Sequence, residues 1–292
     1  MSFAPTHAAD WRRPGAMLRD RVVTAAVLAA CLLAALFWLP PLGWTALASG
    51  VLALAAWEWA GFARCATGGR LAYAAASVAA LVAAAHAFNL ATGAAGTIAL
   101  TPVYGLAAVF WAVGAPIWLA RRPRNAPAAL VLGAGWVVLL PAFLALIHLR
   151  NLDPRSLLLF MTIVWIADSA AYFVGRRFGR HKLAPRISPG KTWEGLAAAL
   201  VATAVYAFVW IAFARGATPA VVRDLPWSPA WMLVLVEALA VLSVIGDLFE
   251  SAMKRQAGLK DSGGLLPGHG GVLDRIDALT PVLPVAALVS LV

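Results

Sequence analysis

Long apolar runs alternate with short polar segments along almost the whole chain. They fall at about residues 22–39, 43–62, 72–92, 97–119, 127–149, 156–175, 193–214, 230–250 and 279–292. Most approach the roughly 20 residues that a helix needs to cross the hydrocarbon of a bilayer. The pattern predicts an all-α, polytopic integral membrane protein with about nine transmembrane helices. Pro40 with Pro41, Gly93 to Gly96, and Arg121 to Pro127 are the clearest loop signals between runs. The first run follows a basic segment, as a leader peptide would. It lacks a convincing small-residue cleavage site and many spans follow it, so it reads as a retained helix. Small residues are abundant in the spans, as close helix packing in lipid favours.

Composition agrees with this pattern. Of the 292 residues 62% are hydrophobic and only 12% charged, about half the charged share of a soluble domain. Cys31 and Cys65 lie in or beside apolar segments and suggest neither a disulfide framework nor a zinc site. The formal net charge of +10 is better explained by membrane topology than by nucleic acid. With the N-terminus in the cytoplasm and the spans alternating, 19 of the 23 Lys and Arg residues fall on the inner side. The outer loops hold only Arg150, Arg155, Arg215 and Arg223. This asymmetry supports both the span assignment and the orientation. It places the 176–192 loop and residues 251–277 on the same, cytoplasmic side, where nucleotides are found.

The candidate chemistry lies in those two segments. Residues 251–277 form the one long polar island of the apolar C-terminal half, combining aspartates, four basic residues, His269 and six glycines. Just before it, Asp247 and Ser251 are four apart and share a helix face, and Glu250 and Lys254 have the spacing of an ion pair. Lys260 and Asp261 lead into Gly263 and Gly264, and then to Gly268, Gly270 and Gly271 around His269. Glycines let backbone N–H groups approach phosphate oxygens. Asp274 and Asp277 follow at i, i+3. Unshielded carboxylates beside lysines and glycine-rich backbone suit Mg²⁺ holding a polyphosphate. The blander reading is a solvated loop. In the other segment, Asp168 and Tyr172 precede Arg176, Arg177 and Arg180. There Ser188 and Pro189 read as the N-cap and first turn of a helix, with Lys191 and Thr192 at the membrane surface, where a lipid phosphate could sit. The blander reading is a capped helix with ordinary inside-positive charge. Glu58, between Trp57 and Trp59, and Glu237 lie within spans, where a lone carboxylate is costly. Helix-packing pairs and functional roles are equally open for both.

These residues resemble a known family. The run Ser251-x-Met253-Lys254-Arg255, then Lys260-Asp261-x-Gly263, then Leu266-Pro267-x-His269-Gly270-Gly271-Val272-x-Asp274-Arg275-Ile276-Asp277 resembles the signature of phosphatidate cytidylyltransferases. Asp168-x-x-Ala171-Tyr172-x-x-Gly175, Ser188-Pro189-x-Lys191-Thr192-x-Glu194-Gly195 and Gly246-Asp247 also resemble that family, in the same order. Trp57-Glu58-Trp59 is a weaker echo. Gly190 departs from the pattern, standing where many members have a second lysine. The resemblance implies conversion of CTP and phosphatidate to CDP-diacylglycerol and diphosphate by a Mg²⁺-dependent membrane enzyme. It also implies a homodimer, and a metal centre on aspartates including Asp247 and Asp274, with a second, monovalent cation such as K⁺. On this reading residues 1–21 are a cytoplasmic segment, 22–155 are scaffold helices with the dimer contacts, and 156–292 are the catalytic region with loops 176–192 and 251–278. The setting is a bacterial inner membrane.

The two readings together assign roles. Asp247 and Asp274, with Asp261 or Asp277, are the expected metal ligands. Ser251, Lys254, Arg255, Lys260, Gly270, Gly271 and Arg275 are expected around the nucleotide. Ser188, Lys191, Thr192, Asp168 and Tyr172 are expected around the lipid phosphate. His269 either donates to the leaving diphosphate or braces the loop. A CTP-dependent polyprenol or phytol kinase is the competing enzyme. An ion-coupled transporter using Asp168 and Glu237 is the competing class, but it calls for charges near span centres, whereas these gather at cytoplasmic ends.

Overall fold

A computed structural model describes residues 26–27, 29–90, 98–121, 123, 126–213, 228–264 and 270–291. The chain divides into two units, Met1–Pro40 and Pro41–Val292. In the first, the described residues include helix α1, Ala29–Trp38. Among its described residues the second has seven helices long and apolar enough to span a bilayer: α2 Pro41–Phe62, α3 Thr67–Ala87, α4 Thr101–Arg121, α5 Ala128–Leu152, α6 Pro154–Phe178, α7 Trp193–Phe213 and α8 Pro229–Ala257. A short helix α9, Leu273–Ile276, and the apolar α10, Leu279–Val289, follow.

Two boundaries depart from the hydropathy pattern for local reasons. Helix α8 continues past the apolar run to Ala257, where Gly258 takes the left-handed conformation (φ 79°) that closes a helix end. The Glu250–Lys254 ion pair supports this added turn from within. Helix α3 starts earlier than expected, at Thr67, because its first turn, with Arg70, is polar and invisible to hydropathy. Helix α10 is a different case. Its 11 residues rise roughly 16 Å, about half the hydrocarbon thickness. It is buried at the centre of the bundle against α4, α5, α6 and α8.

The expectation of an all-α fold needs one correction. Lys182–Ala184 (β1) pairs antiparallel with Ser188–Thr192 (β2). Ser188 therefore does not cap a helix. Pro189 and Gly190 sit in the strand, and the helix begins only at Trp193. Thr192 does the capping, its Oγ1 accepting the Gly195 N–H at 3.1 Å. The hairpin is seated on α8 by Ala184 and Ile187, which pack with Val244 and Leu248.

Helix α8 is held on its other side by aromatics. The buried Phe249 ring lies 5.5 Å from both Phe110 and Trp111, 6.0 Å from Trp118 and 6.3 Å from Trp59. Such contacts add to burial through the ring quadrupoles. They fix the rotation of α8, and so the direction of its neighbours Asp247 and Glu250. At Gly246 helix α8 closely approaches the segment that opens α10. A Cβ at Gly246 would lie 2.5 Å from the Asp277 carbonyl oxygen and 2.8 Å from Pro281 Cδ.

Gly246→Ala is accordingly expected to destabilise the protein by about 1–3 kcal/mol through overpacking. Gly50→Ala, where a Cβ meets nothing within 4 Å, is expected to stay near neutral or gain slightly from helix propensity. Thermal unfolding in one detergent compares the two.

Candidate active site

The polar island folds back over the end of α8 and is fastened to a distant helix. Glu58, only 1% exposed, reaches into it from α2. Its Oε1 accepts the Val272 N–H at 3.0 Å and its Oε2 accepts the Leu273 N–H at 2.8 Å. These are amides at the start of α9, where a carboxylate also meets the positive end of the helix. Ser262 Oγ lies 3.0 Å from both Glu58 Oε2 and Asp274 Oδ2, so its single hydrogen serves one carboxylate at a time. The approach is close enough to exclude side chains. A Cβ on Gly271 would fall on Ser262 Oγ, and one on Gly263 would fall on Glu58 Oε1. These two glycines are thus required by proximity, and Gly270, with φ 83°, by its backbone conformation.

Asp274 is held by the same loop. Its Oδ2 accepts the Gly271 N–H at 2.9 Å and the Ser262 N–H at 3.1 Å, and its Oδ1 meets Lys254 Nζ at 2.5 Å. Burial pushes its carboxyl up, but hydrogen bonds from Lys254, Gly271 and Ser262 outweigh burial and hold it below the ordinary carboxylate range. Lys254 also meets Glu250 Oε2 at 2.5 Å. Its side chain is buried, and its charge is divided between two carboxylates rather than held out toward solvent.

A second acidic group lies beside the first, with the opposite electrostatics. Asp247 Oδ2 pairs with Lys191 Nζ at 2.6 Å, and Asp247 Oδ1 accepts from Ser251 Oγ at 3.3 Å. Asp168 on α6 is within electrostatic reach of Lys191 and Asp247. Asp277 is pushed well above the ordinary carboxylate range, first by burial, then by facing Asp247 and Glu250. Glu250 Oε1 is buried with no hydrogen-bond partner among the described residues. Crowded carboxylates short of donors are what a bound cation relieves. Asp247 and Asp277 therefore suit a hard, oxygen-seeking ion. No three Asp, Glu, His or Cys side chains among the described residues form a ready-made cage. Mg²⁺, which takes one or two carboxylates and completes its shell with water and substrate oxygens, does not need one.

The structure thus brings the two sequence segments together through Lys191 and Asp247. Arg255 ties α8 to the hairpin loop, its Nε 3.4 Å from the Ile187 carbonyl, and its Nη1 donates to the Leu259 carbonyl at 3.1 Å. Lys260, Asp261 and Arg275 are exposed at the rim. Asp261 lines a cavity beside the loop with Arg64 and Arg70. Tyr172 is exposed and accepts from Arg176 Nη1 at 2.8 Å. Ser188 is half-buried on β2, and Thr192 is buried under the start of α7. His269 lies outside the described residues. Glu237 accepts from Thr203 Oγ1 on α7 at 3.1 Å, a helix-packing contact. From the sequence alone a packing and a functional role are equally open for Glu58, and Arg64 and Arg70 count only toward topology. The signal for Glu58 was its position: a carboxylate inside an apolar run requires a strong partner.

Comparison with known proteins follows the same lines. The model of the cytidylyltransferase family matches residues 19–292. A Pseudomonas aeruginosa protein named phosphatidate cytidylyltransferase is 39% identical over 286 residues, covering 93% of this chain and 96% of that protein. Proteins of the same name match over shorter stretches. The Haemophilus influenzae protein is 49% identical over 128 residues, covering 44% of this chain and 43% of that protein. The Bacillus subtilis protein is 42% identical over 141 residues, covering 47% of this chain and 49% of that protein.

Glu58→Gln exchanges one acceptor oxygen for an amide that can only donate, against groups that are themselves donors. It is expected to weaken the loop by about 1.5–3 kcal/mol, the range for hydrogen bonds to a charged group. Hydrogen exchange at the Val272 and Leu273 amides should then quicken by roughly ten- to hundredfold. Exchange in the middle of α5 should not change.

Proposed function

The chain belongs to the cytidylyltransferase family, and from that premise we propose that it transfers the cytidylyl group of CTP to phosphatidate. The products are CDP-diacylglycerol and diphosphate. The observation that carries this reading is the Lys191–Asp247 ion pair at 2.6 Å. It joins a membrane-surface hairpin suited to a lipid phosphate to an acid- and glycine-rich loop suited to a nucleotide.

The phosphate of phosphatidate is already a nucleophile near neutral pH, so the site needs no strong general base. One of its oxygens attacks the α-phosphorus of CTP. The new P–O bond forms as the α–β bridging P–O bond breaks, and diphosphate leaves with that electron pair. Catalysis is then mainly positioning and charge neutralisation. Lys191 shifts its ammonium from Asp247 to the incoming lipid phosphate, with Ser188, Tyr172 and Asp168 around it, while Thr192, expected there as well, is buried and caps α7 instead. Arg255, Lys260 and Arg275 at the rim, and the Gly270–Gly271 backbone, receive the triphosphate. Lys254 keeps Asp274 ionised and in place. Asp247 and Asp277 would hold Mg²⁺, with Asp274 as a further oxygen donor. A bound Mg²⁺ supplies charge neutralisation at the phosphate oxygens and the departing diphosphate. A monovalent cation such as K⁺ suits the same oxygen-only set.

We further assign the enzyme to a bacterial cell membrane with this end facing the cytoplasm. Supporting this are the 19 of 23 basic residues that fall on that side and the intracellular supply of CTP. A homodimer is proposed on the family resemblance alone.

Purified protein, phosphatidate vesicles, Mg²⁺ and CTP labelled at either the α- or the γ-phosphate test the reaction directly. The α-label is expected in lipid, with diphosphate released. Entry of the γ-label into lipid with release of CDP would instead mark a lipid kinase. Asp247→Asn is expected to lower the rate by about 10²–10³-fold, as removal of a key electrostatic group does. A near-normal rate would remove Asp247 from the metal set.

A further inference from the structure

The end of α2, the start of α3 and the 259–264 segment border an open cavity of about 480 Å³ beside the candidate site. Its volume is in the range of small-molecule pockets. Ser262, which lines the cavity, also hydrogen-bonds Asp274 and so links it to the acidic centre. Its chemistry differs from that of a phosphate site. Trp57, Arg64, Arg70 and Asp261 all line it, and Glu58, also in its wall, already accepts backbone N–H groups. The lining mixes a carboxylate with guanidiniums, where a polyphosphate would be served by cations alone.

Two features show that the arginines are set in place. Arg70 Nε donates to the Trp57 carbonyl at 3.0 Å, and its guanidinium lies over the Trp57 ring, 4.6 Å from the centroid. Gly61 permits this, since a Cβ there would lie 3.1 Å from Arg70 Nη2. The result is a fixed, flat cationic platform of the kind on which bases stack. Arg64 holds the left-handed conformation that follows α2, with φ 57°. Glycine is favoured there and a long side chain is not. Among the described residues no carboxylate pairs with either arginine.

We propose that this cavity holds the cytosine ring of the nucleotide and selects it over uracil. This rests on the cytidylyl-transfer reading. Cytosine presents an exocyclic amine that donates, then a ring nitrogen and a carbonyl oxygen that accept. Asp261 accepts from the amine, as carboxylates do in base recognition. Arg64 donates to the ring nitrogen and the carbonyl oxygen, and Arg70 stacks on the ring. Uracil reverses the first two positions. It would set a carbonyl oxygen against Asp261 and a ring N–H against Arg64, leaving both contacts mispaired.

The test compares CTP with UTP, and CMP with UMP. Asp261→Asn is expected to lower kcat/KM for CTP by roughly 10–100-fold. UTP should change little, so that the preference for cytosine falls at least about tenfold. Arg64→Gly relieves the backbone strain. It should melt at or above the parent temperature in detergent while KM for CTP rises about tenfold and KM for phosphatidate holds. Calorimetric binding of CMP and UMP to the purified protein gives a readout independent of turnover. If Asp261→Asn slows CTP and UTP equally, or leaves both unchanged, the cavity is not the base site. Unchanged CTP affinity in Arg64→Gly overturns it as well. If the parent protein prefers CMP to UMP but makes no CDP-diacylglycerol, the reaction assignment fails and the cavity assignment stands.

Discussion

A carboxylate sunk in an apolar helix has to be satisfied, and the arrangement at Glu58 follows from that constraint. Its oxygens accept the Val272 and Leu273 amides and face the Ser262 hydroxyl. Three groups far away in sequence are thereby drawn onto α2. Satisfying one costly charge orders the start of α9, and with it Asp274. The glycines at 263 and 271 are the geometric consequence, because the carboxylate and the loop meet with no room for a Cβ. Without this contact, the segment after α8 would be the solvated loop that its composition alone suggests.

From that anchor the acids divide into two populations. Asp274 is surrounded by donors and sits below the ordinary carboxylate range. Asp277, with Asp247 and Glu250 as neighbours, is pushed above it. Lys254 serves the first population and also Glu250, and Lys191 serves the second from across the hairpin. A centre of this kind is rigid on one side and short of positive charge on the other, which suits a charged substrate arriving with its cation. The rigidity comes from packing: Phe249 in its aromatic enclosure, Gly246 against Asp277 and Pro281, and the buried α10 beneath.

Several elements were legible in the chain. The spanning helices follow from runs of apolar residues, because a bilayer leaves the backbone no other partner than itself. The association of residues 168–195 with 247–277 was readable from their common side, since both carry the basic excess. The hairpin at 182–192 was not. Ser188-Pro189 has the appearance of a helix start, and only cross-strand pairing and the seat on Val244 and Leu248 select the strand. The depth of α10 was hidden as well, because an apolar run reads alike whether it faces lipid or the interior of a bundle.

The sequence by itself therefore determined the class of molecule, the order of its spans and the reactive residue types, for these depend on local composition, spacing and charge. Which charges meet was decided by tertiary structure. Glu58 and Leu273 are 215 residues apart, and Arg64 and Asp261 border one cavity from opposite ends of the chain. Helical periodicity carries information over a few turns. Contacts between helices depend on how the long spans and the buried α10 pack, and no short-range pattern encodes that.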